Sequence, residues 1–112
     1  MIKLSPELAS PHINIGKILY SVYQNFEASF KEFKEAVRIT KYSISLFGLA
    51  NAHKKLGNIN EAKKEYEEAL SYRSNHFLAL VSLGHLQLLS HNMKEAKKLL
   101  KKALNIIEND QA

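Results

Sequence analysis

The sequence predicts an all-α fold, a solenoid of three stacked helix-turn-helix repeats with six helices. One observation is a repeated segment: NINEAKKEYEEAL at residues 58–70 is followed thirty-four residues later by the similar segment NMKEAKKLLKKAL at residues 92–104. Self-similarity at a fixed period of this length is typical of stacked helical arrays. The other observation is that small and apolar residues within each segment lie three and four positions apart, which collects them on one helical face.

The length and the composition of the chain suit one small domain. The chain has 112 residues, of which 46% are apolar and 24% are charged, and it contains no Cys. A single domain of ordinary composition has about this size, and without Cys neither a disulfide nor a thiolate metal site can form. No sustained apolar stretch precedes Pro6, and no apolar run reaches the length of a membrane span. We therefore expect a soluble, cytoplasmic protein.

The repeat extends over nearly the whole chain. Gly16, Ala50 and Gly84 are thirty-four residues apart, and the two glycines suggest close helix packing because a helical Gly costs about 1 kcal/mol relative to Ala. Six further residues recur at that spacing: Leu46, Leu49, Ala62, Tyr66, Ala69 and Leu70 return as Leu80, Leu83, Ala96, Leu100, Ala103 and Leu104. A looser first copy, offset by one residue, supplies Ser29, Phe33, Ala36 and Val37.

Turn and cap residues predict the helix ends. We expect Gly57 to end one helix in the left-handed conformation and Asn58 with Glu61 to form a capping box at the next helix. Asn92 and Glu95 repeat that arrangement. The predicted helices are 11–23, 26–40, 44–56, 59–73, 77–90 and 93–108, in a single domain 1–112 with repeats at approximately 9–42, 43–76 and 77–110.

At residues 46–70 the pattern L-x-x-L-A-x-x-H is followed by G-N-x-x-E-A-x-x-x-Y-x-x-A-L, and it resembles a tetratricopeptide repeat. Residues 80–104 resemble a second repeat, and residues 9–42 a degenerate third. The resemblance implies that the hairpins stack with a right-handed twist and that the first helix of each repeat lines a concave groove. Two positions depart from the family pattern: His53 and Gln87 replace its usual Tyr, and Ser74 and Glu108 its closing Pro.

The resemblance also implies which residues face the groove, at the second, fifth, ninth and twelfth positions of each repeat. These residues are Ser10, Ile13, Lys17 and Tyr20, then Ile44, Phe47, Asn51 and Lys54, and finally Leu78, Val81, His85 and Leu88. Exposed apolar surface of this extent usually marks a binding site. We predict an interaction module or adaptor that binds an extended peptide or an apolar-faced helix of a partner protein, with Lys17, Lys54 and Lys55 attracting acidic flanking residues. An alternative remains open, in which several of these side chains pack against neighbouring helices or the chain's own tail.

The sequence shows no pattern of a catalytic or metal centre. No two of its five His residues lie four positions apart, and no carboxylate pair flanks them at ligand spacing. A phosphate-binding Gly loop and a nucleophile elbow are also missing. We therefore expect no enzymatic activity, no metal and no cofactor, and we interpret His53 as a structural histidine.

Two other functions compete with groove binding. The last predicted helix carries five large apolar residues that cannot all face inward, and the end of a repeat stack normally needs a cap. Three interpretations stay open: the end pairs with another copy, the chain is a fragment without its cap, or these side chains fold onto the preceding helix. We predict a homo-oligomer through Leu99 and Ile106 as the first alternative. The same helix carries Lys94, Lys97, Lys98, Lys101 and Lys102, in a chain with a formal charge of +5. An anion-binding module is the second alternative, although the aromatic or Arg residues that contact bases are missing from this stripe, so nucleic acid and membrane are the less favoured partners.

Overall fold

A computed structural model describes residues 6–111 of the chain. After a short 3₁₀ turn at Pro6–Leu8, the helices are α1 Ala9–Ser21, α2 Phe26–Ile39, α3 Ser43–Lys55, α4 Ile59–Tyr72, α5 Phe77–Leu89 and α6 Met93–Gln111. The all-α prediction is confirmed, and no helix end differs from its predicted position by more than three residues. Residues 1–5, on which the expectation about a signal segment rests, lie outside the described residues.

The six helices stack as three hairpins. Within the hairpins, α1 packs on α2, α3 on α4, and α5 on α6. Between hairpins, α2 packs on α3 and α4 on α5, while α1 also contacts α3 directly. The predicted helical solenoid is therefore confirmed, and the first helices α1, α3 and α5 follow one another along the stack.

Small residues allow the close helix crossings that the repeat predicts. Ala62 and Ala69 are fully buried on α4, and Tyr66 fills the space between them as the largest fully buried side chain. A Cβ placed on Gly16 would lie 2.9 Å from Phe33 Cε2, and one on Gly84 would lie 3.0 Å from the Leu100 side chain. The close packing predicted at the two glycines is therefore confirmed.

Each hairpin turn contains one residue with positive φ. These residues are Gln24 at 52°, Gly57 at 88° and His91 at 62°. At Gly57 the turn closes through the Asn58 N–H, which donates to the His53 carbonyl at 2.8 Å and makes a Schellman motif. The left-handed conformation predicted for Gly57 is confirmed, whereas the other two turns adopt it without a glycine.

The first hairpin turn is one residue longer than the others. Residues 22–25 connect α1 to α2, whereas residues 56–58 and 90–92 make the later turns. In the longer turn the Asn25 N–H donates to the Leu19 carbonyl at 2.8 Å, six residues back instead of five. The extra residue of the first copy therefore lies in this turn. Helices α1 and α2 still pack on each other, as the two helices of each later hairpin do.

The capping-box prediction was wrong at both positions, since neither Glu61 nor Glu95 accepts a bond from the N-cap N–H and only Asn92 makes a long capping contact. Asn58 precedes α4 at the N-cap position but makes no side-chain capping bond. Asn92 Oδ1 lies 3.5 Å from the Glu95 N–H, at the long limit for such a bond. Asn25 caps α2 instead, since its Oδ1 accepts from the Ala28 N–H at 3.2 Å.

Candidate functional site

The predicted groove residues lie on the first helices of the three hairpins, but they differ in exposure. Lys17, Ile44, Leu78, His85 and Leu88 are exposed, as is Ser10, while Tyr20, Phe47, Asn51, Lys54 and Val81 are half-buried. Ile13 was wrongly placed, because it is only 6% exposed and belongs to the core formed with Ala9, Phe33 and Leu49. A partner cannot reach a side chain that the neighbouring helices already enclose.

Five of these residues surround a cavity of about 270 Å³ between α1 and α3. The five are Lys17, Tyr20, Ile44, Phe47 and Asn51. Three lining residues were missed from the sequence: Ser21, Gly48 and Phe33. Of these, Gly48 had a sequence signal, because it is the one glycine that neither the repeat register nor a helix end explains.

Phe47 contributes to the core as well as to the cavity. Its ring centroid lies 5.8 Å from that of Tyr66 and 4.9 Å from that of His76. The His76 Nδ1 is in turn 2.7 Å from the Ser43 hydroxyl oxygen, which joins the beginnings of α3 and α5. One face of Phe47 therefore stabilises the stack while the other is available to the cavity, so the packing alternative holds in part for this residue.

Asn51 is held in place by the core beneath it. The buried Tyr66 hydroxyl donates a hydrogen bond to Asn51 Oδ1, and burial raises the pKa of Tyr66 well above its usual value. The tyrosine therefore stays a neutral donor at physiological pH. Because the bond uses the amide oxygen, it orients the Asn51 side chain and turns its NH₂ group away from Tyr66, as a preformed hydrogen-bond donor.

Positive charge lies beside the apolar cavity. Lys17 is part of the cavity lining, and Lys54 lies one turn beyond Asn51 on α3. Burial, followed by the charge of neighbouring Lys55, lowers the pKa of Lys54. Its ammonium group is thus less well stabilised than in water, and a carboxylate of a bound partner would compensate that cost.

The histidines with short contacts take part in packing. His53 Nδ1 lies 2.6 Å from Glu65 Oε1, with both side chains largely buried, and its ring packs against Phe30. Burial raises the pKa of Glu65, against the lowering effect of the His53 bond. This environment agrees with a structural role for His53. Among residues 7–109, whose side chains the structure describes, no three His, Asp or Glu residues converge as metal ligands.

The C-terminal helix exposes different residues from those predicted. Leu99 is half-buried and packs on the core cluster, facing α5 at Gly84, and Ile106 is half-buried as well. The apolar side chains exposed on α6 are Met93, Leu104 and Ile107. Leu99 therefore faces its own hairpin instead of forming an exposed contact surface, and self-association of the chain stays a prediction.

The lysine stripe lies in solvent. Lys94, Lys97, Lys98, Lys101 and Lys102 are all exposed on α6. Exposed lysines of a helix are solvated whether or not a partner exists, so anion binding stays a prediction. Within the described part of the chain, no helix is both long enough and apolar enough to cross a membrane.

Comparisons with known proteins agree with the repeat architecture. Sequence models of one family, described as Tetratricopeptide repeat, match residues 43–76 and residues 78–110. A human protein named Protein O-mannosyl-transferase TMTC2 is 30% identical over 97 residues, which is 83% of this chain and 12% of that protein. The crystal structure of MamA superposes with a TM-score of 0.83 at 21% identity, covering 92% of this chain and 60% of the MamA chain.

Proposed function

We propose that this chain, which belongs to the tetratricopeptide repeat family, binds a peptide or helix of a partner protein on the side of the stack formed by α1, α3 and α5. Repeats of this family generally mediate protein–protein interactions and are typically non-catalytic. We infer accordingly that the chain is an interaction module or adaptor without catalytic activity of its own. Its cytoplasmic location stays a prediction from the sequence.

One observation carries the proposal: the apolar cavity of about 270 Å³ between α1 and α3, lined by Tyr20, Ile44 and Phe47. A pocket of this kind accepts one large apolar side chain as an anchor. Further along the stack, Leu78 and Leu88 on α5 are exposed apolar side chains that extend the surface. Burial of a large side chain contributes roughly 1.5–3 kcal/mol, so three or four anchors suffice for micromolar affinity after association costs.

Charge and hydrogen-bonding groups favour an acidic flank next to the anchor. Lys17 and Asn51 are part of the cavity lining, and Lys54 follows Asn51 by three residues on α3. The lowered pKa of Lys54 means that its charge lacks full stabilisation. We therefore propose a peptide or amphipathic helix with an apolar anchor and neighbouring Asp or Glu residues as the partner.

A defined peptide library tests the proposal. The library contains peptides of roughly fifteen residues with an apolar heptad face, in versions with acidic or basic flanks. Binding is measured by fluorescence anisotropy to the wild type and to Ile44→Glu, which changes an exposed residue in the first turn of α3. An acid is tolerated there by the helix, so a loss of binding reports on the surface. Phe47 is a poorer choice because it also packs in the core.

We expect acidic-flanked peptides to bind the wild type and to bind Ile44→Glu at least about tenfold more weakly. Ile107→Glu is the matched control, because Ile107 is the same residue type at a similar exposure, 39% against 41%, but lies on α6, outside the cavity lining. Equal affinity for wild type and Ile44→Glu, or equal loss in both variants, would show that the cavity is not the binding site. Binding of the basic-flanked peptides instead would contradict the proposed partner chemistry.

A further inference from the structure

The two ends of the stack carry apolar faces whose internal equivalents are covered. On each first helix, two positions face the preceding hairpin: Leu49 and Ala52 on α3, then Leu83 and Leu86 on α5, all buried. Thirty-four residues before Leu49 and Ala52, the same positions on α1 are Ile15 and Ile18. These two side chains are 46% and 50% exposed. Both side chains are apolar, like the side chains at the buried equivalent positions, but no hairpin precedes them in the described chain.

The opposite end shows the complementary face. Ile59, Tyr66 and Leu70 on α4 belong to or pack against the cluster that contains Leu83 and Leu86 of α5. Thirty-four residues later these positions are Met93, Leu100 and Leu104 on α6. Leu100 is half-buried, whereas Met93 and Leu104 are 55% and 52% exposed. The last hairpin therefore presents the surface on which a next first helix would pack.

The geometry points to a second copy of this chain as the occupant of both faces. In this head-to-tail contact, α1 of one copy lies on α6 of the next copy, as α5 lies on α4 within one chain. Ile15 and Ile18 would take the places of Leu83 and Leu86, and Met93 and Leu104 those of Ile59 and Leu70. The contact is continuous with the stack, and it goes beyond groove binding because it uses the two ends rather than the concave side.

The chain itself supplies the argument for this occupant. The structure contains the equivalent contact twice already, between α2 and α3 and between α4 and α5, with apolar side chains on both helices each time. None of the four exposed residues on the two faces is charged, so pairing them buries no unpaired ion. The contact joins two different surfaces, the α1 face of one copy and the α6 face of the next, so it is heterologous. A heterologous contact can repeat from copy to copy along a filament.

Complementary variants test the contact. Ile18→Glu places a charge on the α1 face and leaves the α6 face intact, while Leu104→Glu does the reverse. Both residues are half-exposed, so the folded chain tolerates the substitutions, and circular dichroism checks this. The mass of wild type and variants is measured by light scattering over a concentration series, each protein alone and the two variants mixed in equal amounts.

We expect the wild-type mass to rise with concentration beyond that of a dimer, and each single variant to remain monomeric at concentrations about tenfold higher or more. The mixture then forms a dimer and nothing larger, because only one intact pair of faces remains. A wild type that is monomeric throughout overturns the inference. So does an Ile18→Glu protein that still dimerises alone, since it would pair through two α6 faces, and so does a mixture that stays monomeric.

The groove variant separates this inference from the proposed function. Ile44→Glu should assemble as the wild type does, because Ile44 lies on neither end face. If Ile44→Glu abolishes assembly while Ile18→Glu does not, the cavity holds the second copy and the head-to-tail contact is wrong. Loss of peptide binding in Ile44→Glu with assembly intact supports both ideas independently.

Discussion

Phe33 lies against Gly48 so closely that no other residue fits at that position of α3. A Cβ placed on Gly48 would be 2.2 Å from Phe33 Cε1, well inside van der Waals contact. On its other side the same ring approaches Gly16 of α1, at 2.9 Å from a Cβ placed there. One aromatic ring from α2 thus fills the space between α1 and α3 and forms the floor of the cavity.

Gly48→Ala should therefore destabilise the fold. Helix propensity alone predicts a gain of about 1 kcal/mol in the free energy of unfolding, whereas overpacking against a buried ring predicts a loss of about 1–3 kcal/mol. Urea denaturation followed by circular dichroism decides between the two signs. In the double variant Gly48→Ala with Phe33→Leu, the smaller side chain should recover part of the loss. Stabilisation by Gly48→Ala alone would contradict this packing.

His91→Gly should stabilise the protein. His91 has a φ of 62° in the turn before α6, where its equivalent in the second hairpin is Gly57. A side chain in the left-handed region costs about 1 kcal/mol, and Gly removes that cost, so the midpoint of thermal unfolding should rise. His91→Ala is the control, because it removes the imidazole but keeps the Cβ, and it should give no such increase. An equal rise in both variants would assign the effect to the imidazole.

Protonation of His76 should lower the free energy of unfolding of the protein as the pH falls. Burial, and then the charge of Arg73, lower the pKa of His76 from its ordinary 6.5. The unfolded chain therefore binds this proton at a higher pH than the folded chain does, so stability is full above pH 6.5 and decreases as the pH falls towards the lowered value. In His76→Asn, which places a side chain that does not titrate at the N-cap position of α5, this part of the pH dependence should disappear. Identical pH slopes of the unfolding free energy in both proteins would refute the assignment.

Lys54→Gln should weaken binding of acidic-flanked peptides and leave apolar recognition intact. The substitution removes the positive charge of Lys54, a side chain whose pKa is lowered by burial. We expect the affinity for these peptides to drop about threefold to tenfold and to depend less on salt concentration. Lys64→Gln is the control, because Lys64 is an exposed lysine of α4, a second helix, and not of the side formed by α1, α3 and α5. A similar drop in both variants would show that net charge alone steers the peptide.

The thirty-four-residue register predicted more of the fold than of the candidate site. It placed all six helices and the small residues at their crossings, because these follow from local periodicity. It did not distinguish Ile13, which is buried against Phe33 and Leu49, from exposed Ile15 two residues away. It also did not distinguish Asn58, which makes no capping bond, from Asn25, which caps α2 in an equally exposed turn.

By itself, the sequence determined that this protein is a stack of three helical hairpins. Apolar spacing within each helix and its return thirty-four residues later are local properties, and any chain that carries them buries the same stripes. Only the tertiary structure decided that Phe33 and Gly48 line a cavity, that Leu99 is covered while Leu104 is exposed, and that Ile15 and Ile18 stay exposed on α1. Such outcomes depend on which helix lies opposite each side chain, and that neighbour is distant in the sequence.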